Sequence, residues 1–210
     1  MEKLFELLQT RWSFFAELLL EHISISITAI TFAMGIGLLL GVLISEYRGS
    51  TKAVMAIVNF IYTIPSISLL GFLIPLSGIG NTTAIIALTV YALLPMVRNT
   101  HTGLSNINPL LIEAVTGMGS TRAQVFFTIK LPLALPVIMA GIRNMAVMTI
   151  ALAGIASFIG AGGLGVAIYR GITTNNKAMT VAGSLLIALL AITVDFLIGA
   201  VEKRIGRHKA

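Results

Sequence analysis

The chain has 210 residues, of which 57% are apolar and only 10% charged, with no cysteine. Soluble globular domains carry about a quarter charged residues, so 14 basic and 8 acidic side chains are too few to cover a water-exposed surface. With a mean hydropathy of +0.98, the composition excludes a soluble enzyme, a nucleic-acid-binding module and a disordered scaffold, and points to a surface solvated by lipid. The net charge of +6 does not signal nucleic acid, because the basic residues form no stripe and are not interleaved with aromatics. Lacking cysteine, the chain has no disulfide, no thiolate nucleophile and no zinc–thiolate site. The start, Met1-Glu2-Lys3-Leu4-Phe5-Glu6, has neither the basic region nor the small-residue cleavage site of a secretory signal.

From the N-terminus, Leu4, Leu8, Trp12, Phe15 and Leu19 recur at helical spacing. Polar positions fall at Glu2, Glu6, Arg11, Glu17 and Glu21. This predicts an amphipathic helix over Leu4–Leu20, occupying residues 1–22 as an interfacial element with Trp12 at the headgroup level. Five apolar segments follow, each near the length that crosses a bilayer: Ile23–Ser45, Ala53–Ile74, Thr82–Val97, Pro136–Ile159 and Met179–Val201. Gly35, Gly37 and Gly41 place small residues on one side of the first, which permits close helix approach in lipid. The fold class is therefore all-α: one polytopic membrane unit over residues 1–210, with an N-terminal amphipathic helix and five spans.

Charge sets the direction of the spans. With the C-terminal tail in the cytoplasm, Arg48, Lys52, Arg98, Arg122, Lys130, Lys203, Arg204, Arg207 and Lys209 lie inside. Lys3, Arg11, Arg170 and Lys177 lie outside. Positive charge concentrates on the cytoplasmic side of membrane proteins, so the N-terminus is expected outside and the C-terminus inside.

The longest polar connection, residues 98–135, falls on the cytoplasmic side. Asn108-Pro109 signals a helix start, with asparagine as cap and proline in the first position. Leu110, Leu111, Ala114 and Val115 form an apolar face, and Gly117 and Gly119 end the helix. Ser120 or Thr121 caps a second helix through Gln124, Phe127 and Ile129, expected to stop before Pro132. A short helix with an apolar face docks either on its own bundle or in a partner's groove.

Within this connection Glu113-Ala114-Val115, Gly119 and Ile129-Lys130-Leu131-Pro132 match the spacing E-A-A-x3-G-x9-I-x-L-P, with Val115 in place of the second alanine. The segment resembles the cytoplasmic signature of ABC importer membrane subunits. The resemblance extends along the chain through Tyr62-Thr63-Ile64-Pro65-Ser66, the Leu69–Leu76 run, Tyr91-Ala92-Leu93-Leu94-Pro95, Leu131–Arg143 and Phe158–Gly165. Together these resemble the permeases for quaternary-ammonium osmoprotectants (glycine betaine, carnitine and choline). Glutamine usually stands where this chain has Tyr62.

The resemblance implies a coupling helix, carried by Glu113, Ala114, Val115, Gly119, Ile129, Leu131 and Pro132, that sits in a groove of a separate ATP-hydrolysing subunit. It further implies a second permease subunit, identical or closely related, and an extracytoplasmic substrate-binding protein. ATP and magnesium belong to the ATPase partner, so this chain needs no cofactor and is not an enzyme. The implied location is a prokaryotic plasma membrane. An importer of another small solute such as an amino acid, and a non-transporting scaffold or regulatory subunit, are the alternatives.

Other constellations point away from catalysis. Gly160-Ala161-Gly162-Gly163-Leu164-Gly165 lacks the Lys-Ser/Thr of a phosphate loop and the strand context of a dinucleotide loop; it reads as a tight re-entrant turn near an outer gate. His22, His101 and His208 have no acidic partner at ligand spacing, so no metal site is expected. Arg143 and Asp195 both lie inside spans, where an unpaired charge is costly, and are expected to pair as a clamp between helices. Tyr62, Pro65, Phe72, Tyr91, Phe158, Gly160, Gly162 and Gly163 are candidate pathway or gate residues. Aromatic faces suit a quaternary ammonium, although isolated aromatics in spans serve packing more often.

Overall fold

The computed structural model describes residues 2–207; His208 and Lys209, counted above with the inner tail, lie outside the described residues. The backbone is helical nearly throughout, with no strand among the described residues. In hydrocarbon every backbone N–H and C=O must bond within its own segment, which leaves the helix as the only open-chain solution. The order is α1 (Glu2–Thr10), α2 (Trp12–Glu46), α3 (Arg48–Thr63), α4 (Ser66–Ser77), α5 (Asn81–Ser105), α6 (Pro109–Gly117), α7 (Arg122–Gln124), a π turn (Val125–Lys130), α8 (Leu131–Ala153), a 3-10 turn (Ile155–Ile159), α9 (Gly165–Thr173) and α10 (Lys177–Arg207). Four stretches are long and apolar enough to cross a bilayer, or five when α3 and α4 count as one bent span.

The entry differs from the sequence expectation. The amphipathic helix ends at Thr10, and from Trp12 the chain is already α2, 35 residues long and thus roughly 52 Å. Nothing between Trp12 and Ile23 breaks a helix. Phe15 and Leu18 are buried in a cluster with Leu164, Met179 and Ala182, so packing holds this part of the chain in line with the span. Leu4, Leu7 and Leu8 of α1 lie against the same cluster, while Trp12 is exposed.

The second span is not continuous. Its two halves, α3 and α4, meet at a 99° bend, because Pro65 has no amide to donate and disfavours a helical Ile64; Ile64 is extended at φ −69°, ψ 127°. The third span does not stop at Val97 but runs to Ser105, through Pro95. Asn99 Nδ2 donates to the Pro95 carbonyl at 2.7 Å. The fourth span begins far upstream of Pro136. The helix is continuous from Arg122 to Ala153, so Pro132 does not end it. A widened turn, with Leu131 N–H bonded to the Phe126 carbonyl five residues back, precedes the proline and makes room for its ring. The polar connection is thereby reduced from residues 98–135 to Asn106–Thr121.

The bundle is organised around α5, with α2 on one side and α8 on the other, and α10 beyond α8. Glycine permits the α2–α5 approach. A Cβ at Gly37 would stand 2.7 Å from Met96 Cβ, and one at Gly41 would overlap Thr100, whereas Gly35 faces open space. Only two of the three glycines therefore serve this contact. Gly41→Val is expected to destabilise the protein by roughly 1–3 kcal/mol through overpacking, read as a lower thermal midpoint in detergent. Gly35→Val should stay within about 0.5 kcal/mol of wild type; equal losses at both positions would refute the assignment.

Candidate functional site

The helix α6 is built by its caps. Asn108 Oδ1 accepts the Leu110 amide at 3.0 Å, and Pro109 fills the first position, where no donor is needed. At the far end Ser120 N–H donates to the Val115 carbonyl at 3.3 Å and Gly119 N–H to the Thr116 carbonyl at 3.0 Å. This pair of bonds is the Schellman motif, and it requires a left-handed residue; Gly119 supplies it at φ +92°. Ile112 and Val115 are half-buried, while Leu111, Glu113 and Ala114 are exposed. Leu110 (70% exposed) and Met118 (86%) stand furthest out. Between two tight turns, α6 thus holds an uncovered apolar surface carrying one carboxylate.

After α6 the chain turns directly into α7 through a capping box. Gln124 N–H donates to Thr121 Oγ1 at 3.3 Å, and Thr121 N–H donates to Gln124 Oε1 at 2.8 Å. Ile129 and Leu131 are half-buried at the π turn and the start of α8, with Leu131 against the Met96–Leu104 cluster. Lys130 Nζ reaches Glu46 at the end of α2 at 2.6 Å. Beyond α6 the chain is joined to two spans: along the unbroken helix from Arg122 into α8, and across the Lys130–Glu46 ion pair to α2.

Arg143 and Asp195 meet. Arg143 Nε donates to Asp195 Oδ1 and Nη2 to Oδ2, both at 2.6 Å, the bidentate fork that carboxylates favour. Glu202, one helical face further along α10, lies 3.5 Å from Nη1. Gly199 between them leaves space for the guanidinium to lie on α10, since a Cβ there would be 3.2 Å from Arg143 Cζ.

The aromatic candidates separate. Tyr62 and Tyr91 pack edge to face, with centroids 5.9 Å apart, beside the α3–α4 bend. The Tyr91 hydroxyl donates to the Ile64 carbonyl, satisfying a group that the break at Pro65 sets free. Phe158 pairs with Tyr169 at 5.2 Å. Phe72 is exposed on α4 and belongs to neither pair.

The glycine turn is tied to two spans. Glu21 Oε2 accepts the Gly163 amide at 3.0 Å, Asn81 Oδ1 accepts the Gly162 amide at 2.8 Å, and Asn81 Nδ2 donates to Glu21 Oε1 at 3.1 Å. Gly160 and Gly163 have positive φ (+76° and +88°). Gly162 is required for another reason: a Cβ there would fall on the Glu21 carboxylate. Next to it, His22 is fully buried, and its Nε2–H donates to the Ile150 carbonyl at 3.0 Å, in the last turn of α8, where carbonyls lack helical partners. His101 contacts Ser105 on its own helix, and no group of three potential metal ligands occurs among the described residues.

Sequence reasoning missed Glu21, Asn81, Glu46 and Glu202 as partners. Glu202 was detectable, lying seven residues after Asp195 on one helix face with Gly199 between them. The other three act across elements, with no periodicity to reveal them.

A bundle of spans, one of them broken, with a short capped helix projecting at one end, defines a membrane transport permease. The chain belongs to the family of binding-protein-dependent transport system inner membrane components, which matches residues 33–207. It is a permease subunit of an ABC importer. It is 40% identical over 210 residues to the carnitine transport permease protein OpuCD of Listeria monocytogenes, covering all of this chain and 94% of that one. To the osmoprotectant import permease protein OsmW of Salmonella typhimurium it is 43% identical, covering 88% of each. Among solved structures, an inward-facing MetNI methionine ABC transporter superposes with a TM-score of 0.84 at 27% identity, covering 91% of this chain and 95% of that one.

Gly162→Ala is expected to lower the thermal midpoint in detergent, by roughly 1–3 kcal/mol of stability. Combining it with Glu21→Ala should recover part of that loss, because the two side chains compete for one space. Strictly additive losses would show that they do not.

Proposed function

We propose that this chain is the pore subunit of an ATP-driven importer of quaternary-ammonium compatible solutes (glycine betaine, carnitine or choline). The names of the relatives, at about 40% identity over essentially the whole chain, support this solute class. The observation that carries the coupling role is α6: a capped helix whose Leu110, Leu111 and Ala114 stand exposed among the described residues.

In this reading residues 1–210 act as one transmembrane unit in a prokaryotic plasma membrane, with the N-terminus outside and α6 and the C-terminus in the cytoplasm. A second permease subunit completes the pore. Two ATPase subunits, which bind ATP and magnesium, receive α6 through Glu113, Ala114 and Val115, with Gly119 holding the turn. A binding protein delivers solute to the outer side. Closure of the ATPase pair draws the two α6 helices together. The motion passes through Ile129, Leu131 and Pro132 into α8 and through the Lys130–Glu46 pair into α2, while the Arg143–Asp195 clamp makes α10 follow α8. The Glu21 and Asn81 contacts hold the glycine turn of Gly160, Gly162 and Gly163 against the outer ends of α2 and α5.

Uptake of radiolabelled choline, carnitine, glycine betaine and amino acids into cells carrying the complete system tests the solute class; transport of amino acids alone would replace it. Glu113→Ala and Gly119→Val should abolish uptake while the protein remains in the membrane. The second replaces a left-handed glycine with a β-branched residue. Undiminished uptake in both would remove the coupling role. For orientation, single cysteines introduced into this cysteine-free chain should react differently in intact cells. A membrane-impermeant maleimide is expected to label Thr174→Cys and not Met118→Cys, and the reverse pattern would invert the topology.

A further inference from the structure

Helices α3 and α5 meet in two rungs. At one, Tyr62 packs edge to face on Tyr91, beside the cavity of about 310 Å³ that lies at the Ile64-Pro65 bend and that Met148 also lines. At the other, one turn earlier on α3, Asn59 Oδ1 accepts a hydrogen bond from Arg98 Nη2 at 2.9 Å. Arg98 follows Tyr91 by about two helical turns, so it stands on the same face of α5 roughly 10 Å further along. It is the eighteenth residue of α5, roughly 26 Å from the start of that helix and near the far edge of a hydrocarbon core of about 30 Å.

The charge on Arg98 is uncommitted. Its side chain is exposed, and among the described residues its partner is the neutral amide of Asn59, with no carboxylate in ion-pair range. Lys130 and Arg143, by contrast, are each matched by carboxylates. A cation inside a span calls for a counter-charge or a wet cavity. A guanidinium carries five N–H donors in a planar fork; Asn59 takes one of them and fixes the plane, which leaves an edge free for bidentate binding of a carboxylate. Glycine betaine and carnitine carry a carboxylate beside the quaternary ammonium, whereas choline carries only a hydroxyl. The cavity at the bend offers the neutral hydroxyls of Thr63 and Ser66 and no charge.

We propose that Arg98, held in place by Asn59, is a carboxylate subsite of the solute pathway: it receives the carboxylate of glycine betaine or carnitine on the inner side of the bend, and its charge disfavours the bare cation of choline there. The proposal rests on the solute class proposed above and divides that class, because only the carboxylate-bearing members gain from the contact. Asn59 is a positioning residue that acts through Arg98.

The test is the ratio of glycine betaine uptake to choline uptake, each at saturating concentration, in cells carrying the complete system with wild type, Arg98→Gln, Arg98→Lys or Asn59→Leu. Carnitine serves as a second carboxylate-bearing probe, and the membrane level of each variant is read by immunoblot. Arg98→Gln should lower the ratio about tenfold, the scale of a hydrogen bond to a charged group, with choline uptake undiminished. Arg98→Lys keeps the charge and loses the fork, and Asn59→Leu leaves the guanidinium unheld; each should lower the ratio by a smaller factor in the same direction. These two variants decide the matter if Arg98→Gln does not reach the membrane. An unchanged ratio in the variants that do reach it overturns the subsite, whether both uptakes persist or both fall together, since an equal loss is the signature of an interfacial anchor or a packing role. A wild type that moves choline but neither betaine nor carnitine overturns the subsite and leaves the solute class standing. One that moves none of the three overturns the solute class, and the subsite with it.

Discussion

Lipid offers no hydrogen bonds, so each backbone amide and carbonyl at membrane depth must find its partner inside the protein. Regular helix meets that demand along most of this chain, and every departure from helix has a specific partner. At Ile64-Pro65 the freed carbonyl is taken by the Tyr91 hydroxyl. Past the end of α8, the amides of Gly162 and Gly163 are taken by Asn81 and Glu21, and His22 takes the Ile150 carbonyl. Around α6 the termini are closed by Asn108, Thr121 and a left-handed Gly119. These breaks are also the candidate functional sites: a cavity, a turn that joins two spans, and a projecting helix. An unbroken bundle would be easier to satisfy, but it would have nothing to bend and nothing to present.

The scarce charges follow the same economy. Lys130 with Glu46 and Arg143 with Asp195 each join two helices that are not neighbours in sequence, so each pair couples the positions of elements that lipid alone would leave free to slide. Together with the continuous helix from Arg122 to Ala153, they join α2, α8 and α10 as connected parts. Such connection is needed to convert motion at one end of a bundle into a change of access at the other.

Much of this was legible in the sequence. The caps of α6 were readable because Asn-Pro starts and glycine stops act within a few residues. The spans were readable because their composition is set by contact with lipid. Arg143 and Asp195 could be matched because two opposite charges placed at similar depth within spans have few other partners. What was not legible involved prolines and interfaces. Pro132 reads as a stop but lies inside a continuous helix, because a π turn ahead of it accommodates its ring. Trp12–Glu21 read as a surface helix but continues the first span, because Phe15 and Leu18 are buried in a cluster formed by distant segments.

The sequence by itself determined the solvent, the helical class, the caps of α6 and the family, since each rests on composition or on residues close together in the chain. The tertiary structure alone decided why Gly162 must be glycine, and that Tyr62, Tyr91 and Met148 share one cavity. Those outcomes depend on side chains 29 to 142 positions apart being brought within a few ångströms. Local propensity does not contain that information, because it is set only when the helices pack.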